Sequence, residues 1–367
     1  MGKKICLVTL VDSIEATSMP TNEFVIYRES CNFAIRQVMI VCSANEMNGV
    51  KIPETVSVYF VQHNLNKIRT VVKDTIVECK KNGEKVVFHL HAQTSSLLFF
   101  LSTIGLEVRK RSIFTIHSLC SARNIKYRIG SYLCSLLSSY ITCISSSVYN
   151  DYWSLIRKIK GNRVKIMLNS IDFSRLDNAI NDDPNHIEIC NMMNIVCVDR
   201  MIPLKNQQFL IKLMKYIPNT NLLLIGDGEL KDELEKLAKT EGVDNRVIFL
   251  GLLSREQVYR EINKCGLYVS ASKIEGFHNS VLEAMGVGAI PIVSDIPAHR
   301  EIASIIGKVT PLPFDYLIWS NKIKEYQNMD KLEIEKISKY LKKRVKVEFS
   351  LFRMHEQFNH VYEILAF

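Results

Sequence analysis

Short, nearly continuous apolar runs recur along the chain, and polar stretches with a three-to-four-residue apolar beat separate them. In the first half the runs are KKICLVTLV (3–11), QVMIVCSA (37–44), VSVYFVQ (56–62), KVVFHLHA (85–92), SIFTIHS (112–118) and YITCISSS (140–147). Runs this short and this rich in Val and Ile read as strands, and their lack of in–out alternation predicts burial on both faces. Helical patterns lie between several of them, for example at 66–81 and 125–138. Strands alternating with helices predict an α/β fold built on a parallel sheet.

The series pauses at DNAINDDPNHIE (177–188), a patch rich in Asn and Asp that reads as an interdomain linker. It then restarts with MNIVCVDR (193–200), TNLLLIGDGE (220–229), RVIFLG (246–251), GLYVSAS (266–272) and AIPIVSD (289–295). Helices are expected at about 206–216, 230–241, 255–263 and 279–286. A chain of 367 residues is too long for one ordinary core and suits two domains of about 150 to 180 residues each. The pattern therefore predicts two doubly wound, Rossmann-like halves, 1–180 and 181–345, facing across a cleft.

In open α/β sheets ligands sit beyond the carboxyl ends of the strands, and the residues with usable chemistry fall there. SKIEGFHNSVLEAMGVGAIPIVSD (272–295) places Glu275 on a loop and Glu283 one turn inside a helix that opens near His278, with Asn279 or Ser280 as its cap. A helix start favours an anion such as phosphate. Glu283 can accept two hydrogen bonds from a vicinal diol such as a ribose, and Glu275 can reach other hydroxyls. In VDRMIPLKNQQFLI (198–211), Arg200 and Lys205 can converge on a diphosphate. Gly226-Asp227-Gly228 is not a dinucleotide fingerprint, but it suits a tight turn that lets backbone approach a ligand. An isolated pair of glutamates or of cations is usually plain surface. Together they fit a long, hydroxyl-rich ligand with phosphate in the middle.

Composition is that of an ordinary globular protein, 47% hydrophobic and 23% charged. The ten cysteines form no CxxC pair, which argues against zinc and redox motifs and for reduced thiols. No carboxylate pair is flanked as a metal site, and no signal peptide is seen. Net charge is +9, but it is uneven. Residues 1–180 carry 23 Lys and Arg against 13 Asp and Glu, a net +10, while 181–367 carry 24 against 25. A basic half suits an anionic partner. No nucleic-acid-binding pattern accompanies it. Leu97–Leu106 is too short to span a bilayer as a helix and is followed by Arg109-Lys110-Arg111. A buried core helix is the expected reading, with shallow membrane insertion as the alternative. The next helical pattern combines Arg123, Lys126 and Arg128 with Ile129, Tyr132 and Leu133, a basic and partly apolar face.

Arg200…Lys205-Asn206, LLLIGDGEL, VIFLG, EGFHNSVLEAM and GAIPIVSDIPAHREI follow one another between about 193 and 303. In order and spacing this region resembles the donor domain of glycosyltransferase family 4, of GT-B fold. More loosely, HLHAQ (89–93), FTIHS (114–118), TCISSS (142–147) and KIMLNSID (165–172) resemble its acceptor domain, and 346–367 resembles its closing helix, which crosses back to the first domain. The resemblance implies retaining transfer of a sugar from a UDP- or GDP-sugar, with no cofactor and no metal. The implied acceptor is a glycan or polyprenyl-diphosphate-linked glycan of surface-polysaccharide synthesis. It implies a cytoplasmic protein attached peripherally to the inner face of a bacterial plasma membrane, with an anionic membrane surface and no nucleic acid as partner. Carried over by position, Arg200 and Lys205 hold the diphosphate and stabilise the leaving group, and Glu283 binds the ribose. Glu275, with the backbone of Gly276, Phe277, His278, Asn279 and Ser280, holds the transferred sugar. His117 lies near that sugar, and Leu253 contacts the base.

Four departures stand out. Asp199 and Ser170 replace glycines, His278 replaces a common Gly or Pro, and the loop VDSIEATSMPTN (11–22) lacks the usual Gly-Gly. The last leaves a catalytically degraded, sugar-nucleotide-binding subunit as the alternative function. A sugar-nucleotide epimerase is a lesser one, for which no separate acid/base set is found.

Overall fold

The computed structural model describes residues 4–14, 35–43, 50, 52–181 and 191–367. These divide into two compact units, Met1–Ser170 with Leu351–Phe367, and Ile171–Ser350.

The first unit holds a seven-stranded, all-parallel sheet in the order β3-β2-β1-β4-β5-β6-β7. Its strands are β1 (Ile5–Val11), β2 (Ile35–Val41), β3 (Val56–Phe60), β4 (Lys85–Leu90), β5 (Ser112–Ile116), β6 (Tyr140–Cys143) and β7 (Val164–Ile166). Helices α1 (Leu65–Lys81), α2 (Gln93–Ser102), α3 (Ile125–Leu137), α4 (Ser146–Asp151) and α5 (Ser154–Lys160) connect them. Every residue of β1 is buried, as expected of a central strand covered on both faces. The sequence pattern misses β7, which is only three residues long with Lys165 at its centre. Leu97–Leu106 divides its faces. Phe99 and Phe100 of α2 are buried, while Leu101 and Ile104 beyond them are exposed.

In the second unit β8 (Asn191–Val198), β9 (Asn221–Ile225), β10 (Val247–Gly251), β11 (Cys265–Ser270), β12 (Ile290–Ser294) and β13 (Thr310–Leu312) form a six-stranded parallel sheet, ordered β10-β9-β8-β11-β12-β13. Its helices are α6 (Phe173–Asn181), α7 (Gln207–Leu213), α8 (Lys231–Thr240), α9 (Arg255–Asn263), α10 (Asn279–Val287), α11 (Pro297–Ile306), α12 (Tyr316–Gln327) and α13 (Lys331–Glu348). Strand order reverses between β8 and β11, the switch point where such sheets bind ligands. The short edge strand β13 was also missed.

The division falls at Ser170 and Ser350, against the expected 180 and 345. The start of the presumed linker, 177–181, continues α6; the rest of it lies outside the described residues. Phe173, Leu176, Ala179 and Ile180 of α6 are buried, and Arg175 pairs with Glu256 of α9 at 2.6 Å. Asn and Asp on the outer face masked this amphipathic helix. Of the loop 11–22, only 11–14 are described.

The last helix, α14 (Leu351–Ala366), belongs to the first unit. Its Leu351, Met354, Phe358, Tyr362 and Leu365 pack with Ile5, Leu7, Val87 and Ile113 of β1, β4 and β5 in one core. Phe358 is 1% exposed. Phe358→Ala is expected to cost about 3–5 kcal/mol, read as a lower urea midpoint for the transition of the first unit.

Candidate active site

The loops leaving β8 and β11 meet at the switch point of the second unit. Asp199 and Arg200 follow β8, and a single 3-10 turn, Pro203–Lys205, carries Lys205. Asn206 ends that turn in the left-handed conformation (φ 55°), which Asn tolerates better than most residues. The Lys273 N–H donates to the Leu204 carbonyl at 2.8 Å, tying the loop after β11 to this turn. Beside it, Gly226 (φ +132°) and Gly228 (φ +158°) leave β9. A Cβ on Gly226 would lie 2.1 Å from the Asp199 carbonyl oxygen, and one on Gly228 2.4 Å from that of Met201. The close approach expected of the Gly-Asp-Gly turn is therefore to the protein's own backbone. The Met201 N–H donates to the Asp227 carbonyl at 2.9 Å, and the Leu230 N–H to the Met201 carbonyl at 3.0 Å. These bonds fix residues 199–201.

The Lys205 ammonium donates to Glu275 Oε1 at 2.6 Å and to Asp199 Oδ1. Both carboxylates are largely withdrawn from solvent, the Asp199 side chain to 3%. Burial opposes the charge on Lys205, but Asp199 and Glu275 outweigh it and raise the ammonium's pKa. Burial likewise pushes Asp199 up, and the Lys205 ammonium, together with a charge on His278 when that ring carries one, pulls it down to about 2. Asp199, Glu275 and His278 offer atoms within 4.8 Å of one another, and the cation this cluster holds is Lys205. Arg200 is exposed, and no hydrogen bond or ion pair involves its guanidinium among the described residues.

Helix α10 opens at Asn279 with His278 in the N-cap position, and no side chain caps it. The expected cap by Asn279 or Ser280 does not form. Both residues are half-buried in the first turn. Phe277 is buried against Phe349, ring centroids 5.8 Å apart, and Gly276 is half-buried beside Glu275.

Glu283 is buried one turn into α10. Arg255 donates to its Oε1 from Nε at 3.1 Å and from its terminal nitrogen at 2.7 Å, and the Tyr259 hydroxyl donates to the same oxygen at 3.1 Å. None of these bonds uses Oε2. Sequence reasoning missed Arg255 and Tyr259. Their signal was Ser254-x-x-Gln257, which forms a capping box opening α9 and so orients the next residue, Arg255. Leu253 is half-buried on the short link between β10 and α9.

His117, the remaining expected residue, lies in the first unit, just past β5. His91 Nδ1 is 3.0 Å from His117 Nε2, so His91 touches the expected site residue. Burial holds His91 well below the usual histidine range and His117 near 4. At neutral pH the pair is uncharged, and one ring's N–H donates to the other ring. His89 behind it bonds Tyr362 of α14 and Thr115, each at 2.6 Å.

Residues 191–304 match the family model "Glycosyl transferases group 1". An N-acetylgalactosamine-N,N'-diacetylbacillosaminyl-diphospho-undecaprenol 4-alpha-N-acetylgalactosaminyltransferase of Campylobacter jejuni is 26% identical over 175 residues, 47% of this chain and 46% of that protein. A UDP-Gal:alpha-D-GlcNAc-diphosphoundecaprenol alpha-1,3-galactosyltransferase of Escherichia coli is 27% identical, covering 38% of each. The chain spans a third to just under half the length of the curated relatives with which it aligns first. Among solved structures, Anabaena Alr3699/HepE in complex with UDP and glucose superposes with a TM-score of 0.74 at 16% identity, covering 98% of this chain and 99% of that one. That likeness supports the two parallel-sheet, GT-B-type fold.

Arg255 neutralises Glu283 inside the protein, so Arg255→Met leaves a buried charge unpaired, at an expected cost of about 3–5 kcal/mol. The urea midpoint of the second unit measures it. Adding Glu283→Gln is expected to recover most of the loss.

Proposed function

We propose that this chain, whose residues 191–304 form a group 1 glycosyltransferase domain, is a retaining glycosyltransferase. It moves a sugar from a UDP- or GDP-sugar to a lipid-diphosphate-linked glycan in surface-polysaccharide synthesis. The observation that carries the reading is the switch-point arrangement. An exposed arginine, a lysine set between two acids and an uncapped helix start gather within one loop system. In the reaction the bond between the anomeric carbon and the β-phosphate oxygen breaks, and an acceptor hydroxyl takes the sugar on the same face, passing its proton to the departing phosphate oxygen. Charge develops on the diphosphate, and Arg200, Lys205 and the N–H groups opening α10 neutralise it without a metal. Glu283 Oε2 accepts from the ribose diol while Arg255 and Tyr259 hold its other oxygen. Glu275 exchanges Lys205 for hydroxyls of the sugar. His117 is assigned to the sugar on the resemblance alone. The Campylobacter and Escherichia relatives are named for transfer to undecaprenol-diphosphate-linked sugars, which supports the acceptor class.

A panel of UDP- and GDP-sugars, with a polyprenyl-diphosphate-linked sugar as acceptor and EDTA present, tests this. Transfer from one donor series is expected. Lys205→Ala and Glu283→Ala each lose about 1.5–3 kcal/mol of nucleoside diphosphate binding, roughly ten- to a hundredfold in Kd. Glu275→Ala binds the nucleotide and does not transfer. Wild-type protein that binds nucleotide but transfers from no donor would instead identify the degraded, binding-only subunit. Activity restored by manganese after chelation would overturn metal independence.

The same reading places the protein on an anionic membrane surface. No described helix is long and apolar enough to cross a membrane. Helix α3 exposes Ile125 (63%), Ile129 (53%), Leu133 and Leu136, a stripe at helical spacing. Leu101 and Ile104 are exposed at the end of α2, which packs against α3. The basic turn Arg109–Arg111 follows them in the chain. Apolar insertion together with Lys and Arg is the chemistry of an interfacial anchor, each cation worth on the order of 1 kcal/mol near an anionic leaflet. Co-sedimentation with anionic vesicles at low salt, weaker at high salt, is expected. Ile125→Ser with Ile129→Ser is expected to abolish it, while equal recovery in the supernatant under all conditions would favour a soluble acceptor.

A further inference from the structure

One buried nitrogen beside Lys205 is left without a hydrogen bond, and the bonds around it determine what it lacks. The His299 Nδ1 lies 2.8 Å from the Ser294 carbonyl oxygen. A carbonyl only accepts, so this Nδ1 carries the proton. Burial pushes His299 down to about 3; it is neutral, and its Nε2 is bare. The His278 Nδ1, 2.9 Å from that Nε2, must therefore be the donor. In a neutral His278 the second nitrogen, Nε2, is then bare as well. It is buried, makes no hydrogen bond, and faces Asp199 Oδ1 at 3.4 Å. Two lone pairs oppose each other there, and a proton on Nε2 would convert the contact into an ion pair.

The groups around His278 come from four elements. Asp199 and Lys205 follow β8, Tyr268 lies on β11 with its ring centroid 6.4 Å away, Glu275 is in the loop at 3.8 Å, and His299 is on α11. Asp199 already serves Lys205. The same Oδ1 faces His278 Nε2, so the ammonium and a protonated Nε2 would draw on one oxygen.

We propose that His278 is a proton-linked positioning residue. Entry of the donor diphosphate draws a proton onto His278 Nε2, Asp199 turns to this imidazolium, and Lys205 is released toward the phosphates. This inference rests on the donor-site reading above. The physics has a fixed sign. An incoming anion favours the charged form of a nearby histidine, so nucleotide binding takes up a proton and weakens as pH rises. Asp199 and His278 are both departures from the family pattern, so the device belongs to this chain's own residues. Ser294 and His299 orient it from behind.

The test is calorimetric titration of the full chain with UDP and with GDP between pH 6 and 9, in buffers of different ionisation enthalpy. Wild type is expected to take up as much as about one proton, its Kd rising up to about tenfold per pH unit in that window. His278→Gln is expected to bind without that uptake, leaving only the nucleotide's own phosphate ionisation, which both proteins share. Asp199→Asn, which removes the partner of the new charge, is expected to reduce the uptake; it also supplies the comparison where His278→Gln does not fold. Equal uptake in wild type and variants overturns the inference and leaves the donor site standing. If neither nucleotide binds the wild type, the donor-site reading falls, and this inference with it.

Discussion

The site depends on a buried ammonium that must be paired before the loops around it can close. Removing an ion from water costs several kcal/mol after relaxation. Lys205, with its side chain 14% exposed, meets that cost with two carboxylates, Asp199 and Glu275. They come from the carboxyl ends of two neighbouring strands, so the pairing also locks the loop after β8 to the loop after β11. The backbone cooperates: Gly226 and Gly228 admit the neighbouring turn, and the left-handed Asn206 ends the lysine's turn. Arg200 is left outside this arrangement, exposed. One cation is thus already committed to the protein and the other is open to a ligand.

That division bears on binding. On the proposed reading, a diphosphate arriving at Lys205 would not meet a free charge; it would replace carboxylates already in place. The net gain is the difference between two sets of ion pairs, smaller and more selective than the gross attraction. Glu283 is organised on the opposite principle. Arg255 and Tyr259 converge on its Oε1, which holds the carboxylate oriented without using its second oxygen. On the proposed donor-site reading, one acid gives up its partner when the ligand arrives, and the other keeps its partners throughout. The roles follow from where each sits, Glu275 on a loop and Glu283 inside a helix.

Much of this was legible in the sequence because parallel strands buried on both faces announce themselves as apolar runs, and because the switch point gathers motifs close in the chain. Lys205, Glu275 and Glu283 were found that way. Arg255, Tyr259 and His299 were not, since each acts through a residue some 20 to 30 positions away and none carries a motif of its own. Asp199 and His278 were visible only as departures, and a departure does not say what it touches. Helix α6 was hidden for a different reason: its solvent face is so rich in Asn and Asp that the buried Phe173, Leu176 and Ile180 did not stand out as a stripe.

The first unit carries its own dependence, and it runs through the end of the chain. Its core is closed by α14, whose Met354, Phe358 and Tyr362 lie about 240 to 360 residues from Ile5, Leu7, Val87 and Ile113 of the strands they cover. Contacts of such separation form late, because the loop-closure entropy must be met before they stabilise anything. Until α14 docks, the sheet lacks a large part of its apolar cover, and His89 lacks Tyr362. His89 stacks on His91 with ring centroids 3.9 Å apart, and His91 bonds His117. The orientation of the histidine expected near the transferred sugar is therefore set by a helix at the far end of the sequence. Residues 1–170 alone would contain every strand of the first sheet and still not fix that side chain.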